Sequence, residues 1–355
     1  MQRKKIRWKK LGGGSLRFKD GRVIRRDEIF MASIDDIPEA FRDVVVPLDP
    51  IPDDFLQDEL SLDQEEAPLH SLYEIKSAEE GNFNVVRFLG EAEKTMNTYG
   101  LLEDEAKELK VSLENNNDVN WKIPSVWKDG ECWIMGGGFS MPSQFEVPDE
   151  LIRKVISQQC SPSEYSPYLS SLHSKHVIAV NTAVLIGDWF DVLFFGDRQW
   201  YMWHREPVRL WPGLKVTCES WFANKDRQKQ ERVKYVSKDK KKRQGLGDNL
   251  DALIWNVLGA NSGATAIDLA AHFGAKRIIL LGFDMKLSED GEASHWHNLN
   301  RDEITLHSYG ESFQIYSQCF SAIAEDAKKR GIEILNANPD SALEDFPKVH
   351  VKELL

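Results

Sequence analysis

One stretch constrains the fold more than any other: Asn261-Ser262-Gly263 through Gly282-Phe283-Asp284. Small and apolar residues recur at helical spacing from Ser262 to Phe273. Ser262 is a suitable N-cap, and Gly274 stands where a helix takes a left-handed C′ residue. From Arg277 to Phe283 the chain is a nearly unbroken apolar run, the pattern of a strand buried on both faces of a parallel sheet. Asp284 then sits where such a strand meets the ligand crevice of an open α/β sheet. The helix start, Asn261-Ser262-Gly263, offers backbone N–H groups and a positive dipole end to an anionic ligand. The alternative is an ordinary helix and strand with no site.

The rest of the chain supports an α/β reading from about residue 119 onward. Glu131–Met135, His176–Asn181, Phe190–Phe195, Leu214–Thr217, Ile278–Phe283 and Glu333–Asn336 read as strands. Pro148–Gln159, Asp251–Leu258, Ser262–Phe273 and Tyr309–Arg330 read as helices. Alternation of this kind predicts a doubly wound, mostly parallel Rossmann-like sheet. Polar residues close most of the strands: Ser140, Asn181, Asp197, Asp284 and Asn336. All would project at one edge, where a ligand crevice is expected.

Residues 1–118 have another character. Residues 1–55 read as a small β module, with a hairpin around Asp20-Gly21. Residues 56–68 are an acidic linker, and 69–118 a small α+β module with strands near 72–76 and 83–88 and a helix over 102–113. These pieces are expected to make few contacts with the α/β domain. They suit docking or assembly, including a virion or protein partner; a plain elaboration packed on the main domain is the alternative.

Composition narrows the function. A net charge of −12 argues against general nucleic-acid binding. The four cysteines lack C-x-x-C pairing, so neither zinc nor a disulfide framework is expected, and a cytoplasmic setting is the default. No signal peptide is evident, and no apolar run approaches the ~20 residues of a membrane span. Trp189, Trp200, Trp203, Trp211 and Trp221 cluster in sequence, as core residues or as a stacking surface.

Gly136-Gly137-Gly138-Phe139-Ser140 follows the first strand of the α/β region. It fails the dinucleotide fingerprint, because Met141 replaces the third glycine and the next strand ends in Asn181 instead of an acid. There is no P-loop either. The glycines still permit close approach of backbone to a phosphate.

The histidine loop, Ser294-His295-Trp296-His297-Asn298, follows the Gly282-Phe283-Asp284 strand end. An imidazole there can take a proton from an attacking hydroxyl. His295 and His297 could instead chelate a metal with Asp284, or lie exposed without a role. The basic run Lys238–Arg243 is a solvated loop or a mobile lid.

The order Gly136-Gly137-Gly138-Phe139-Ser140, Asn181, Asn261-Ser262-Gly263, Gly282-Phe283-Asp284, a histidine loop and Asn338-Pro339-Asp340-Ser341-Ala342-Leu343 resembles the sialyltransferases of glycosyltransferase family 42. It is also similar to their relatives, the motility accessory factors and the hydroxymethyl-dihydropterin pyrophosphokinases, and to reading frames found in phage genomes. The resemblance covers about residues 125–350. It implies that Gly137, Gly138, Ser140, Asn181, Ser262 and Gly263 hold a nucleotide-linked donor; Gly136 in the same turn, Asp197 at a strand end and Asn261 at the helix start join them as candidates. It also implies a histidine base among His295, His297 and His307, with His297 first, His295 in reserve and Asp284 supporting. The first turn reads Gly-Gly-Phe-Ser where sialyltransferases read Asn-Gly-Pro-Ser, and Met285-Lys286-Leu287 stand where they carry a tyrosine pair. A phosphate-linked donor is therefore expected without commitment to cytidine-monophosphate-sialate, with no tightly bound cofactor and no protein-held metal. The alternatives are a virion-associated structural or assembly protein that uses the fold as a scaffold, and diphosphate transfer to a small hydroxymethyl compound.

Overall fold

The computed structural model describes residues 5–10, 16–18, 22–25, 28–33, 36–37, 45–47, 72–89, 92–114, 120–256, 261–289, 291, 293–299 and 306–355. The acidic linker and the Asp20-Gly21 turn lie outside these residues. Two compact units emerge: residues 1–70 with 300–305, and residues 71–299 with 306–355.

In the first unit, β1 (Ile6–Lys10) lies between β4 (Ile29–Ala32) and β5 (Val45–Pro47), antiparallel to both. Between β1 and β4 in sequence, β2 (Leu16–Arg17) and β3 (Val23–Ile24) form the expected hairpin. Burial alternates along β4, with Phe30 and Ala32 inside, so one face carries a small core. The Trp8 indole donates to the Ala32 carbonyl at 2.9 Å, and Phe18 meets Phe30 edge-on at 5.5 Å.

The second unit begins with an antiparallel sheet of β6 (Tyr73–Ser77), β7 (Phe83–Leu89) and β8 (Ala92–Thr95), followed by α1 (Glu103–Glu114). The α/β region then runs through β9 (Glu131–Met135), α2 (Met141–Gln144), α3 (Asp149–Ile156), β10 (Val177–Val180), β11 (Val192–Phe195), α4 (Arg198–Trp203), α5 (Arg205–Leu210) and β12 (Leu214–Thr217). It continues through α6 (Lys225–Glu231), β13 (Val233–Tyr235), β14 (Ser237–Lys238), β15 (Ala252–Leu253), α7 (Ser262–His272), β16 (Arg277–Leu281), α8 (Leu306–Ser317), α9 (Phe320–Lys329) and β17 (Glu333–Asn336).

Among the described residues, seven strands form one sheet in the order β13-β12-β11-β10-β9-β16-β17, and every pairing is parallel. β10, β11 and β12 are buried at every position, as the continuous apolar runs require. Strand order runs outward from β9 to β13 and then reverses, so β16 returns to the other side of β9. This β9/β16 junction is a topological switch point, where parallel sheets open a crevice at their carboxyl edge.

Local chemistry revises several expectations. Asn261, not Ser262, caps α7: its extended backbone lets Oδ1 accept the Ala264 N–H at 2.8 Å. Gly274 ends that helix at φ +95°, and a Cβ there would meet the Lys128 backbone. Residues 251–256 are not helical; β15 pairs with β14, and the Ile254 N–H is captured by the buried Asp268 carboxylate at 2.8 Å. The long C-terminal helix is broken at Gln318-Cys319, which turns Phe320 into the core. The Tyr316 carbonyl before this break accepts from Asn261 Nδ2 at 3.3 Å. Trp189, Trp200, Trp211 and Trp221 are buried, so these rings fill the core and do not form an exposed stacking surface. Lys242 pairs with Asp326 at 2.8 Å, and Arg330 grips the Leu246 and Gly247 carbonyls, so the basic run is a tethered loop and not a mobile lid. The four cysteines are free, and no helix among the described residues is long and apolar enough to cross a membrane.

The α+β piece does not stand apart, contrary to expectation. Arg87 and Lys94 oppose each other across the β7–β8 pair and are buried against the loops that feed β10 and β11. Arg87 donates to the Asp188 and Phe190 carbonyls at 2.9 and 2.7 Å. Lys94 pairs with the fully buried Asp191 at 2.8 Å and donates to the Trp189 carbonyl at 3.0 Å. Asp191 also accepts the Val177 N–H at 2.7 Å. The module therefore closes the amino edge of the sheet, opposite the crevice.

Burial pushes the Asp191 carboxyl up, but Lys94, His176 and Arg87 together outweigh it and hold the group well below the usual carboxylate range. Its folded pKa being depressed, the stabilisation is full above the unfolded value near 4 and is lost as pH falls toward the folded one. Lys94→Ala strands a buried carboxylate and should cost about 3–5 kcal/mol in urea unfolding at neutral pH. The penalty should shrink below about pH 4; a loss under about 1 kcal/mol at pH 7 would refute the tie.

Candidate functional site at the switch point

The crevice is built around Asp284, which is 2% exposed at the end of β16. Its carboxylate accepts the Ser140 N–H at 2.9 Å, the Ser140 hydroxyl at 2.5 Å and Asn338 Nδ2 at 2.7 Å. The Asp284 carbonyl accepts the Ala342 N–H at 2.8 Å, and Ser341 Oγ donates to the Phe283 carbonyl at 2.6 Å. The turn after β9, the end of β16 and the loop after β17 are thereby joined. Burial raises the Asp284 carboxyl, against the hydrogen bonds from Ser140 and Asn338. These carboxylate bonds go to a serine and an amide rather than to an imidazole. Asp284 is thus a positioning residue for the turn.

The glycine turn is packed by the protein itself. The Gly136 N–H donates to the Leu281 carbonyl at 2.8 Å and the Gly138 N–H to the Gly282 carbonyl at 2.9 Å. With the Ser140 N–H held by Asp284, three N–H groups expected to cradle a phosphate are already engaged. A Cβ on Gly138 would lie 2.5 Å from Asp284 Oδ2, and one on Gly137 would lie 2.6 Å from His295 Cδ2. Glycine is needed here so that Asp284 and the histidine loop can close on the turn.

That loop lies directly against it. Gly138 and His295 form an antiparallel bridge. Trp296 donates its backbone N–H to the Gly137 carbonyl and its indole N–H to the Gly136 carbonyl, each at 3.1 Å. His295 keeps partial exposure, and its Nδ1 pairs with Ser294 Oγ at 2.8 Å. His297 is 6% exposed, and its Nδ1 accepts the Leu299 N–H at 3.2 Å. Burial holds the His295 imidazole down to about 4. It pushes His297 well below its ordinary value, aided by the neighbouring His295 and His204. Both rings are neutral at pH 7. His307 falls in α8, and its side chain lies outside the described residues. Among the described residues no group of three or more His, Cys, Asp or Glu is arranged to hold a metal ion.

The remaining expected residues gather at the same edge with different roles. Phe283 links the turn to the α7 start: a Cβ on Gly136 would lie 3.3 Å from one edge of its ring, and one on Gly263 would lie 2.7 Å from the other. Ser262 is 9% exposed, and its hydroxyl lies 3.3 Å from where a Cβ on Gly196, after β11, would stand. Asn261 and Asp197 act as helix caps, Asp197 accepting the Gln199 N–H at 2.7 Å. Asn181 opens a turn after β10 with φ +51°, and its buried Oδ1 has no hydrogen-bond partner. Sequence reasoning missed Trp296, which backs the turn, and His204, whose ring lies tilted against Trp200 with centroids 5.2 Å apart. No local pattern marks either residue; only the packing of the loop and α4 reveals them.

No family model matches the chain, and no curated protein does. Similar solved structures include the MAf glycosyltransferase from Magnetospirillum magneticum AMB-1, at 12% identity and TM-score 0.43, over 69% of this chain and 38% of that one. Another is the sialyltransferase CstII from Campylobacter jejuni in complex with cytidine-5′-monophosphate, at 12% identity and TM-score 0.34, over 62% of this chain and 84% of that one. The chain spans little more than a third of the length of the first. Identity at this level bears on the fold alone.

Asp284→Ala would leave the Ser140 N–H, the Ser140 hydroxyl and the Asn338 amide without their acceptor. The unfolding free energy should drop by about 3–5 kcal/mol. A urea titration giving a loss below about 1 kcal/mol would show that the turn is held by other contacts.

Proposed function

We propose that the chain transfers a sugar from a nucleotide-linked donor to a hydroxyl acceptor, at the β9/β16 switch point. The observation that carries this reading is the partly exposed, neutral His295 held against the glycine turn at the carboxyl edge of the sheet. A histidine base is supported, but the ring that best fits is His295, because His297 is buried and its Nδ1 is already occupied by the Leu299 N–H.

In this reading the Ser294 hydroxyl accepts the Nδ1–H of His295, which leaves Nε2 as the basic atom. As the acceptor oxygen attacks the anomeric carbon, its proton passes to Nε2. The bond from that carbon to the donor phosphate breaks, and the phosphate departs with the electron pair. A donor phosphate beside His295 raises its pKa from about 4 toward neutrality, making it a better base once substrate is bound. Asn181 Oδ1 is a buried acceptor for a hydroxyl or amine of the donor. The Ser262–Gly263 helix start lends its dipole to the leaving phosphate.

A screen of nucleotide sugars by calorimetry, followed by transfer assays, tests the reading. His295→Ala should cut turnover by roughly 10²–10⁴ while donor affinity stays nearly constant. Because the base must be deprotonated, kcat/KM should hold from neutral pH down to about 5 and fall as pH drops through about 4. Failure of every nucleotide sugar to bind, or a His295→Ala enzyme of parental activity, would overturn it.

A further inference from the structure

Beyond the glycine turn, the carboxyl edge continues over the end of β11. There the Trp255 indole packs on Gly196: a Cβ on Gly196 would lie 2.2 Å from Trp255 Cζ3 and 3.3 Å from Ser262 Oγ. The ring edge and the serine hydroxyl thus share one spot, which only a glycine leaves open. Bonds to α7 fix the chain on which the ring sits. The Ile254 N–H donates to Asp268 at 2.8 Å, and Thr265 Oγ1 donates to the Ile254 carbonyl at 3.0 Å. Lys238, on β14, sets its Nζ 4.3 Å from the Trp255 ring centroid. Both Trp255 and Lys238 keep partial exposure.

The chemistry of this corner suits an anion. Ser262 is 9% exposed, and among the described residues its hydroxyl has no hydrogen-bond partner. It stands on the first turn of an 11-residue helix, where the Ser262 and Gly263 N–H groups precede the first intrahelical bond. Lys238 adds a full positive charge. Among the described residues its ammonium meets the Trp255 ring and no carboxylate. Asp239, next in sequence, turns instead to the Lys241 and Lys242 N–H groups at 2.7 and 2.9 Å. The Lys238 charge opposes the rise that burial gives the Cys218 thiol, which sets the ammonium near the end of β12, beside β11 in the sheet. An ammonium over an indole face is a modest contact where water has access. An oxyanion holds the same ammonium more strongly, through a charge-assisted hydrogen bond.

We propose that Ser262 and Lys238 hold the two phosphates of a nucleoside-diphosphate donor, Ser262 at the edge of the Trp255 ring and Lys238 over its face. Phe283 joins the glycine turn to the α7 start, so the phosphate at Ser262 is the one nearer the histidine loop. It is the phosphate that gathers charge as the sugar departs, and the helix start faces that charge. Lys238 lies farther along the same edge and takes the second phosphate. A single phosphate at the helix start leaves Lys238 on its ring; a diphosphate reaches both. Assignment of the diphosphate to a sugar donor rests on the transfer reading; the subsite itself does not.

Calorimetric titration of the full chain in metal-free, low-salt buffer, with UDP, ADP, GDP and CDP beside their monophosphates, tests the subsite. At least one diphosphate should bind saturably, about tenfold tighter than its monophosphate, and more weakly as salt rises. Lys238→Gln should remove that advantage and leave monophosphate affinity nearly unchanged, with circular dichroism as in the parent. Ser262→Ala should weaken both nucleotides alike. If Lys238→Gln unfolds, Lys238→Met, which keeps the aliphatic stem over the ring, carries the same expectation. Absence of diphosphate binding, equal affinity for the two nucleotides, or an advantage that survives loss of the ammonium overturns the proposal. A chain that binds diphosphates here but transfers no sugar keeps the subsite and loses the transferase reading. A chain that transfers sugar from monophosphate-linked donors, with Lys238→Gln at the parental rate, keeps the transferase reading and loses the subsite.

Discussion

The Asp284 carboxylate is the interaction on which the site depends. It gathers the turn after β9, the end of β16 and the loop after β17 through two side chains and one backbone N–H. The histidine loop can pack on the turn only because that turn is drawn in and carries no side chain at Gly137 and Gly138. Remove the carboxylate and three donors lose their acceptor at once, in a place with little access to water.

A second buried carboxylate at the other edge of the sheet shows how environment decides charge. Asp191 meets Lys94, His176 and Arg87 and is held ionised despite complete burial. Asp284 takes its hydrogen bonds from the neutral Ser140 and Asn338, with Lys286 adding a smaller charge effect; burial wins, so its carboxyl rises. The amino edge is thus an ionic clamp that anchors the α+β module, while the carboxyl edge is a neutral, hydrogen-bonded frame beside uncharged imidazoles.

Crowding of the glycine turn gives those residues a meaning different from the expected one. A strand followed by three glycines suggests backbone left open to a phosphate. In the folded chain the space beside Gly137 and Gly138 is filled by His295 and Asp284, and three of the turn's N–H groups are engaged. The glycines let Asp284 and the histidine loop come close to the turn.

The strands and the α7–β16 unit were legible in the sequence because their causes are local. An unbroken apolar run reports a strand covered on both faces, and a glycine after a helical pattern reports its end. The gathering of polar residues at strand ends was legible too, since parallel strands share one carboxyl edge. Other features depended on partners distant in sequence. Asn261 rather than Ser262 caps α7 because its backbone is extended there. Residues 251–256 leave the helical state because Asp268 captures the Ile254 N–H. Arg87 and Lys94 look like ordinary surface cations until the loops before β10 and β11 present carbonyls and Asp191 to them. His295 and His297 differ in burial only because the loop folds onto the turn at a switch point set by strand order. Periodicity and capping chemistry belong to a residue and its near neighbours. Strand order, desolvation and the pairing of buried charges belong to the folded chain alone.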